Sequence, residues 1–137
     1  MKRNYNVFKL LTLQICICML PACFSTPPAP SAEAVIQFDE YEHSFGTLSF
    51  KKETGYSFQF SNPGKVPLVI NDVKTSCGCT VPEWPLKPLK PGSKGEIKIK
   101  YDAASPGVFH KEIKVHYNGS GSPAILRIKG QVEYPDL

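Results

Sequence analysis

Hydrophobic residues recur with period two over the last hundred residues of this chain. Tyr56, Phe58 and Phe60 alternate with Ser57, Gln59 and Ser61. Ile97, Ile99 and Tyr101 alternate with Glu96, Lys98, Lys100 and Asp102, and Phe109, Ile113, Val115 and Tyr117 oppose His110, Glu112, Lys114 and His116. Successive side chains of a strand point to opposite faces, so each pattern puts one face in a core and the other in water. Val66 to Val73 is more continuously apolar and predicts a central strand. Turn chemistry separates the runs: Asn62-Pro63-Gly64, Pro91-Gly92 and Asn118-Gly119-Ser120-Gly121. Seven or eight short strands at this spacing predict an all-β fold, an antiparallel β-sandwich, without internal repeats.

Pro82 to Pro91 (PEWPLKPLKP) interrupts the alternation with a proline at every third position. That spacing suits a polyproline-II segment crossing from one sheet to the other. Trp84, the only tryptophan, lies in it. Two roles are open to it: packing, with the ring laid over the nearby cysteines, or a surface anchor for a ligand.

The first part of the chain reads differently. Lys2, Arg3 and Lys9 precede an eleven-residue apolar run, Leu10 to Leu20, broken only by Thr12 and Gln14. A bilayer needs about 20 such residues, so this is a secretory signal and not a span. The run ends in Leu20-Pro21-Ala22-Cys23, which resembles the bacterial lipobox, so residues 1–22 are expected to be removed and Cys23 to carry the lipid, palmitate among its acyl chains. Phe24 to Ala34 (FSTPPAPSAEA) is too poor in apolar residues to fold and reads as a disordered tether over 23–34. The domain proper is expected over 35–137, a size that buries well over half of its unfolded surface without covalent staples.

Cleavage would change the charge argument. Three of the 16 basic residues and none of the 12 acidic ones fall in residues 1–22, which leaves 13 against 12. The excess of positive charge belongs largely to the signal, and nucleic acid is not an expected partner.

Chemistry concentrates in Thr75-Ser76-Cys77-Gly78-Cys79-Thr80. On an extended strand, residues i and i+2 are roughly 6.6 Å apart on one face, borderline for a disulfide. Gly78 can take positive φ, and such a bend would bring the sulfurs together. A disulfide closing three residues constrains the unfolded chain by only about 1.6 kcal/mol. Three roles are open to Cys77 and Cys79: a structural pair, packed or bonded, a reversible redox pair, or a two-thiolate site for a soft metal such as Cu(I). Zinc would want four ligands, and no second pair supplies them. His110 and His116 share the water face of a strand with Glu112 and Lys114, and His43 precedes Ser44-Phe45-Gly46 in an expected turn, so all three read as solvated surface histidines. No Ser-His-Asp arrangement, Gly-rich phosphate loop or paired acid motif is present, so no catalytic residue and no cofactor is expected.

Taken together, His43-Ser44-Phe45-Gly46-Thr47-Leu48, Phe58-Gln59-Phe60-Ser61-Asn62-Pro63-Gly64, Pro67-Leu68-Val69-Ile70, Ser76-Cys77-Gly78-Cys79-Thr80 and Leu89-Lys90-Pro91-Gly92 resemble one family, the bacterial domain of unknown function family 1573. Gly107 with Phe109, and Ile128 to Val132, match its closing strands, so the resemblance covers roughly Phe38 to Val132. It implies an immunoglobulin-like sandwich similar to Hydin-type and major-sperm-protein-type domains, and export, frequently with a lipid anchor. It implies no activity. Relatives often carry an acidic residue just before Phe-Gly, where this chain has His43-Ser44, so any role of that acid does not transfer.

Two functions compete at this point. One is a non-enzymatic, lipid-anchored binding or structural module of the bacterial cell envelope, in the outer membrane facing the periplasm or the cell surface. Its partners would be the membrane through the anchor and an envelope protein or glycan. The other is a thiol-based envelope protein, redox-active or Cu(I)-binding through Cys77 and Cys79. Fold class does not separate them.

Overall fold

The computed structural model describes residues 32–135, and within them eight strands form two four-stranded sheets. The first contains β1 (Gln37–Phe38), β3 (Thr54–Ser61), β6 (Lys94–Tyr101) and β5 (Thr80–Glu83), in the order β1-β3-β6-β5. The second contains β2 (Glu42–Leu48), β8 (Ala124–Val132), β7 (Gly107–Tyr117) and β4 (Ile70–Thr75), in the order β2-β8-β7-β4. Alternation decides which face each strand buries. Phe58, Phe60, Ile97, Ile99 and Tyr101 point inward from the first sheet, and Phe109, Ile113, Val115, Leu126 and Ile128 from the second. Each such side chain contributes about 1.5–3 kcal/mol on burial, which is large beside a net stability of roughly 5–15 kcal/mol. Tyr101 of β6 stacks on Phe109 of β7 with ring centroids 4.3 Å apart, so the two layers meet across this pair.

The sandwich is the one the alternation predicts, with four differences of detail. The pairing of β2 with β8 is parallel, whereas β1–β3, β3–β6, β5–β6, β4–β7 and β7–β8 are antiparallel. The apolar stretch Val66 to Val73 is not a central strand. Its second half enters β4, which lies at the edge of its sheet, while Leu68 makes an isolated bridge to Leu89. It reads as continuously apolar because Leu68, Ile70 and Val73 all reach the core from this rim position.

Pro82 to Pro91 does not carry the chain between sheets. Pro82 and Glu83 belong to β5, and β5 pairs with β6 in the same sheet, so the proline-rich residues beyond are a connection within one layer. The change of sheet occurs earlier, between β4 and β5, at Ser76 to Cys79.

The expected turn at His43-Ser44-Phe45-Gly46 is strand β2, interrupted by a register shift between Ser44 and Thr47. Gly46, at φ 65°, occupies the left-handed region that a glycine adopts without steric cost, so the turn-like residues make a bulge. His43 is half-buried, not solvated: its ring stacks on Tyr56 of β3, centroids 3.5 Å apart, with Phe45 edge-on and Glu40 Oε1 3.5 Å from Nδ1. It therefore links the β2 and β3 margins of the two sheets.

Among the described residues the first buried one is Ala34, one residue before Val35, so the end of the expected tether packs with the domain. The expected signal over 1–22, the expected lipidation at Cys23 and the part of the expected tether (23–34) up to residue 31 lie outside the described residues.

Candidate functional site: the Thr75–Thr80 crossover

The crossover joins the outer strand of one sheet to the outer strand of the other, and its polar groups are arranged to hold that step. Thr75 ends β4, and its hydroxyl lies 2.9 Å from the Cys77 carbonyl oxygen and 3.1 Å from that of Thr80. A Thr hydroxyl competes well for nearby carbonyls, which fits a tight bend and not a continuing strand. Ser76 exchanges two hydrogen bonds with β7: its N–H donates to the Glu112 carbonyl at 3.0 Å, and its Oγ accepts from the Glu112 N–H at 3.2 Å. On the far side the Asp102 N–H donates to the Cys79 carbonyl at 3.2 Å, which ties the bend to the end of β6.

Cys77 and Cys79 are joined by a disulfide, their Cα atoms 5.3 Å apart. The bend shortens the extended spacing to disulfide range. Gly78 does not supply it through positive φ, as the sequence suggests. Its backbone lies outside the left-handed region, and a Cβ placed there would meet open space. Thr80, only 3% exposed, starts β5 with its Oγ1 3.6 Å from Cys77 Sγ and 4.0 Å from Cys79 Sγ. Bonded sulfurs carry no hydrogen, so Thr80 is the donor in both contacts. Both cysteines are half-buried and Gly78 is exposed, and Cys79, unlike Cys77, packs against the core.

Beside the crossover, Lys74, Thr75, Ser76, Glu112 and Lys114 line a shallow surface depression. Its charges are paired loosely, Lys114 to Glu112 at 3.7 Å and Arg127 to Glu112 at 3.8 Å, all substantially exposed. Such pairs contribute little to stability. The carboxylates with displaced pKa values lie elsewhere on the sheets. Glu42 is held below its ordinary value by a hydrogen bond from Lys129, Glu83 by one from Lys100, and Glu96 by Gln59 and then Lys98. Within the described residues no group of three or more His, Cys, Asp or Glu is placed to hold a metal ion. A disulfide offers no thiolate, so Cu(I) would require the reduced pair.

Trp84 follows β5, which separates it from Cys79 by roughly 16 Å of extended chain at 3.3 Å per residue. It packs against the core, with its Nε1 buried and without an acceptor among the described residues, and its edge meets a depression shared with Glu83, Pro85, Glu96 and Lys98. His110 is exposed and His116 half-buried, both on the outer face of β7. What sequence reasoning missed are the roles of the hydroxyls of Thr75, Ser76 and Thr80, and their place on either side of the Cys pair is the available signal.

Two stacked sheets in this order, joined at their margins, define an immunoglobulin-like, PapD-like sandwich. The chain belongs to DUF1573, a family of proteins of unknown function, whose model matches residues 36–132. Among solved structures it is similar to a protein of unknown function from Porphyromonas gingivalis W83, with TM-score 0.66 and 18% identity over 78% of this chain. The chain spans about half of that protein, 51% of its length. It is also similar to PapD-like domain 7 of human CEP192, an ASH / PapD-like domain, with TM-score 0.64 and 9% identity over 86% of this chain and 99% of that one. A likeness to the VesB protease of Vibrio cholerae, TM-score 0.56 and 11% identity, covers 74% of this chain but 32% of the protease. At these identities the likenesses concern the fold. No curated protein matches the chain.

Proposed function

We propose that this protein is a lipid-anchored module of the bacterial cell envelope, acylated at Cys23, whose sandwich binds or braces another envelope component and does not catalyse a reaction. The observation that carries the reading is how the Thr75–Thr80 crossover uses its polar groups. All three of its hydroxyls bond to carbonyls, an amide or sulfurs of the fold, so the one chemically distinctive stretch is committed to fixing the margin of the sandwich. The charged start, short apolar run and Leu20-Pro21-Ala22-Cys23 supply the export and anchoring side of the reading. No described helix is long and apolar enough to cross a membrane, and a lipid on Cys23 would provide attachment without one.

The test is metabolic labelling with a clickable fatty acid, combined with membrane fractionation, of the wild type and Cys23→Ala. Label and membrane attachment are expected in the wild type and lost in the variant. Equal labelling of both, or of neither, would defeat the anchored reading.

A further inference from the structure

We propose that the face around Trp84, at the rim of the β1-β3-β6-β5 sheet, is a binding site for an uncharged glycan chain. This rests on the anchored-module reading only in that the sandwich binds an envelope component, and it names the chemistry of that component and the surface that meets it.

Trp84 is the only tryptophan in the chain and stands just beyond β5. It packs against the core, and its edge meets the depression lined also by Glu83, Pro85, Glu96 and Lys98. Its buried Nε1–H has no acceptor among the described residues, although a buried indole N–H ordinarily finds one and its lack costs about 1–3 kcal/mol. Packing and the neighbouring Pro82 and Pro85 therefore fix the ring, not a hydrogen bond of its own. A buried polar group left in that state calls for a reason, and the use of the ring at the surface supplies one.

An aromatic ring at a surface packs on the apolar C–H face of a pyranose, whose hydroxyls then need donors and acceptors around the ring. Both are present. Gln59 Nε2 donates to Glu96 Oε2 at 3.1 Å, Lys98 Nζ lies 3.2 Å from Glu96 Oε1, and Lys100 Nζ lies 2.9 Å from Glu83 Oε1. A carboxylate has about four acceptor positions and an ammonium three donors, so all four charged side chains keep capacity beyond these bonds.

The same side chains select the class of ligand. Two carboxylates paired with two ammoniums leave the face without net charge, which favours neither a polyanion nor a polycation. Glu and Lys are depleted from the cores of protein–protein interfaces. Extension of the sheet by a partner strand is disfavoured too, because Pro82 of the outermost strand β5 has no N–H to donate. An uncharged polyol meets none of these obstacles.

Trp84 is its own reporter, since the chain holds no other indole. The full chain, in a detergent without a sugar headgroup, is titrated with cellotriose and with N,N′,N″-triacetylchitotriose while Trp84 fluorescence and the single indole N–H resonance are followed. A saturable shift with one or both sugars is expected, and the pair separates recognition of hydroxyls alone from recognition of acetamido groups. Glu83→Gln combined with Glu96→Gln should weaken binding roughly tenfold, the difference between charged and neutral acceptors. Glu42→Gln, on the other sheet, should bind as the wild type does. Trp84→Ala, read by saturation-transfer NMR on the sugar, should lose binding. No saturable response to either sugar, an affinity indifferent to the two carboxylates, or an indole resonance that moves only with protein concentration would each overturn the proposal. Should Trp84→Ala fail to fold, the carboxylate variant still decides it. None of these readouts requires a lipid on Cys23, so the anchor and the glycan site can fail separately.

Discussion

The side-chain amide of Asn62 donates to the main-chain carbonyl of Leu89 at 3.1 Å, across 27 residues of sequence. The same nitrogen lies 2.9 Å from the Val66 carbonyl, and Oδ1 accepts from the Gly64 N–H at 3.0 Å. Asn62 is fully buried, and its own backbone bonds to Ser93 and Gly92. One residue that looks like turn punctuation thus fastens the end of β3 to the loop before β6. Replacing it with Ala would leave two carbonyls without their donor, and the expected loss is about 2–4 kcal/mol. Chemical denaturation measures it. Asn62→Asp should be at least as damaging, because a carboxylate cannot donate to either carbonyl, and a milder effect than Ala would discount the donor role.

Phe58 tests the core in the simplest way. It has no exposed surface and stands T-shaped to Tyr56 at 5.0 Å. Phe58→Ala is expected to cost about 3–5 kcal/mol by urea denaturation, since the sandwich cannot close over the void without moving both layers. A near-neutral result would mean that β3 faces the other way.

Glycines of similar appearance should behave in opposite ways. A Cβ on Gly95 would come within 2.6 Å of the Phe60 ring, which is itself locked in the core, so Gly95→Ala should lower the melting temperature by several degrees or prevent folding. Gly78→Ala has open space and an ordinary φ, and should change stability by no more than about 0.5 kcal/mol. Thermal melts of the two variants side by side give the answer, and equal effects would contradict the packing assigned to β3 and β6.

Acid stability should follow Glu42, Glu83 and Glu96. Each is held below the ordinary carboxylate value of 4.5 by partners present only in the fold: Lys129, Lys100, and Gln59 with Lys98. A depressed folded pKa means a contribution that is present above the unfolded value and lost as pH falls through the folded one. Stability from this source should be level near neutrality and decline below about pH 4.5. The groups are exposed, so 1 M salt should flatten the decline. A triple Glu→Gln variant that loses stability as steeply as the wild type over this range would show that other groups govern it.

The alkaline side has its own markers. Burial, first of all, raises the hydroxyls of Tyr101 and Tyr117 above their ordinary value of 10.0, so they remain neutral in the fold where the unfolded chain ionises. Their contribution is complete below pH 10 and lost above it. Absorbance titration at 295 nm should show these two tyrosines ionising late and together with unfolding. Smooth early titration of every tyrosine would place them at the surface.

The sequence alone determined strands β3, β6 and β7 and their buried faces, because alternation is a local property: a side chain at Ile97 or Val115 points opposite to its neighbours whatever else the chain does. It also exposed the Cys-Gly-Cys pair, which is written in consecutive residues. It did not determine where the chain changes sheets. Pro82 to Pro91 looked like the crossing on the strength of backbone preference, yet β5 finds its hydrogen-bond partner in β6, and the step falls at Ser76 to Cys79. Nor could it show that His43 stacks on Tyr56, that β2 runs parallel to β8, or that Thr80 stands behind the disulfide. Those are pairings set by which groups the whole fold brings within reach, and the energy that selects them comes from burial and hydrogen bonding across the sandwich, not from the residues' own preferences.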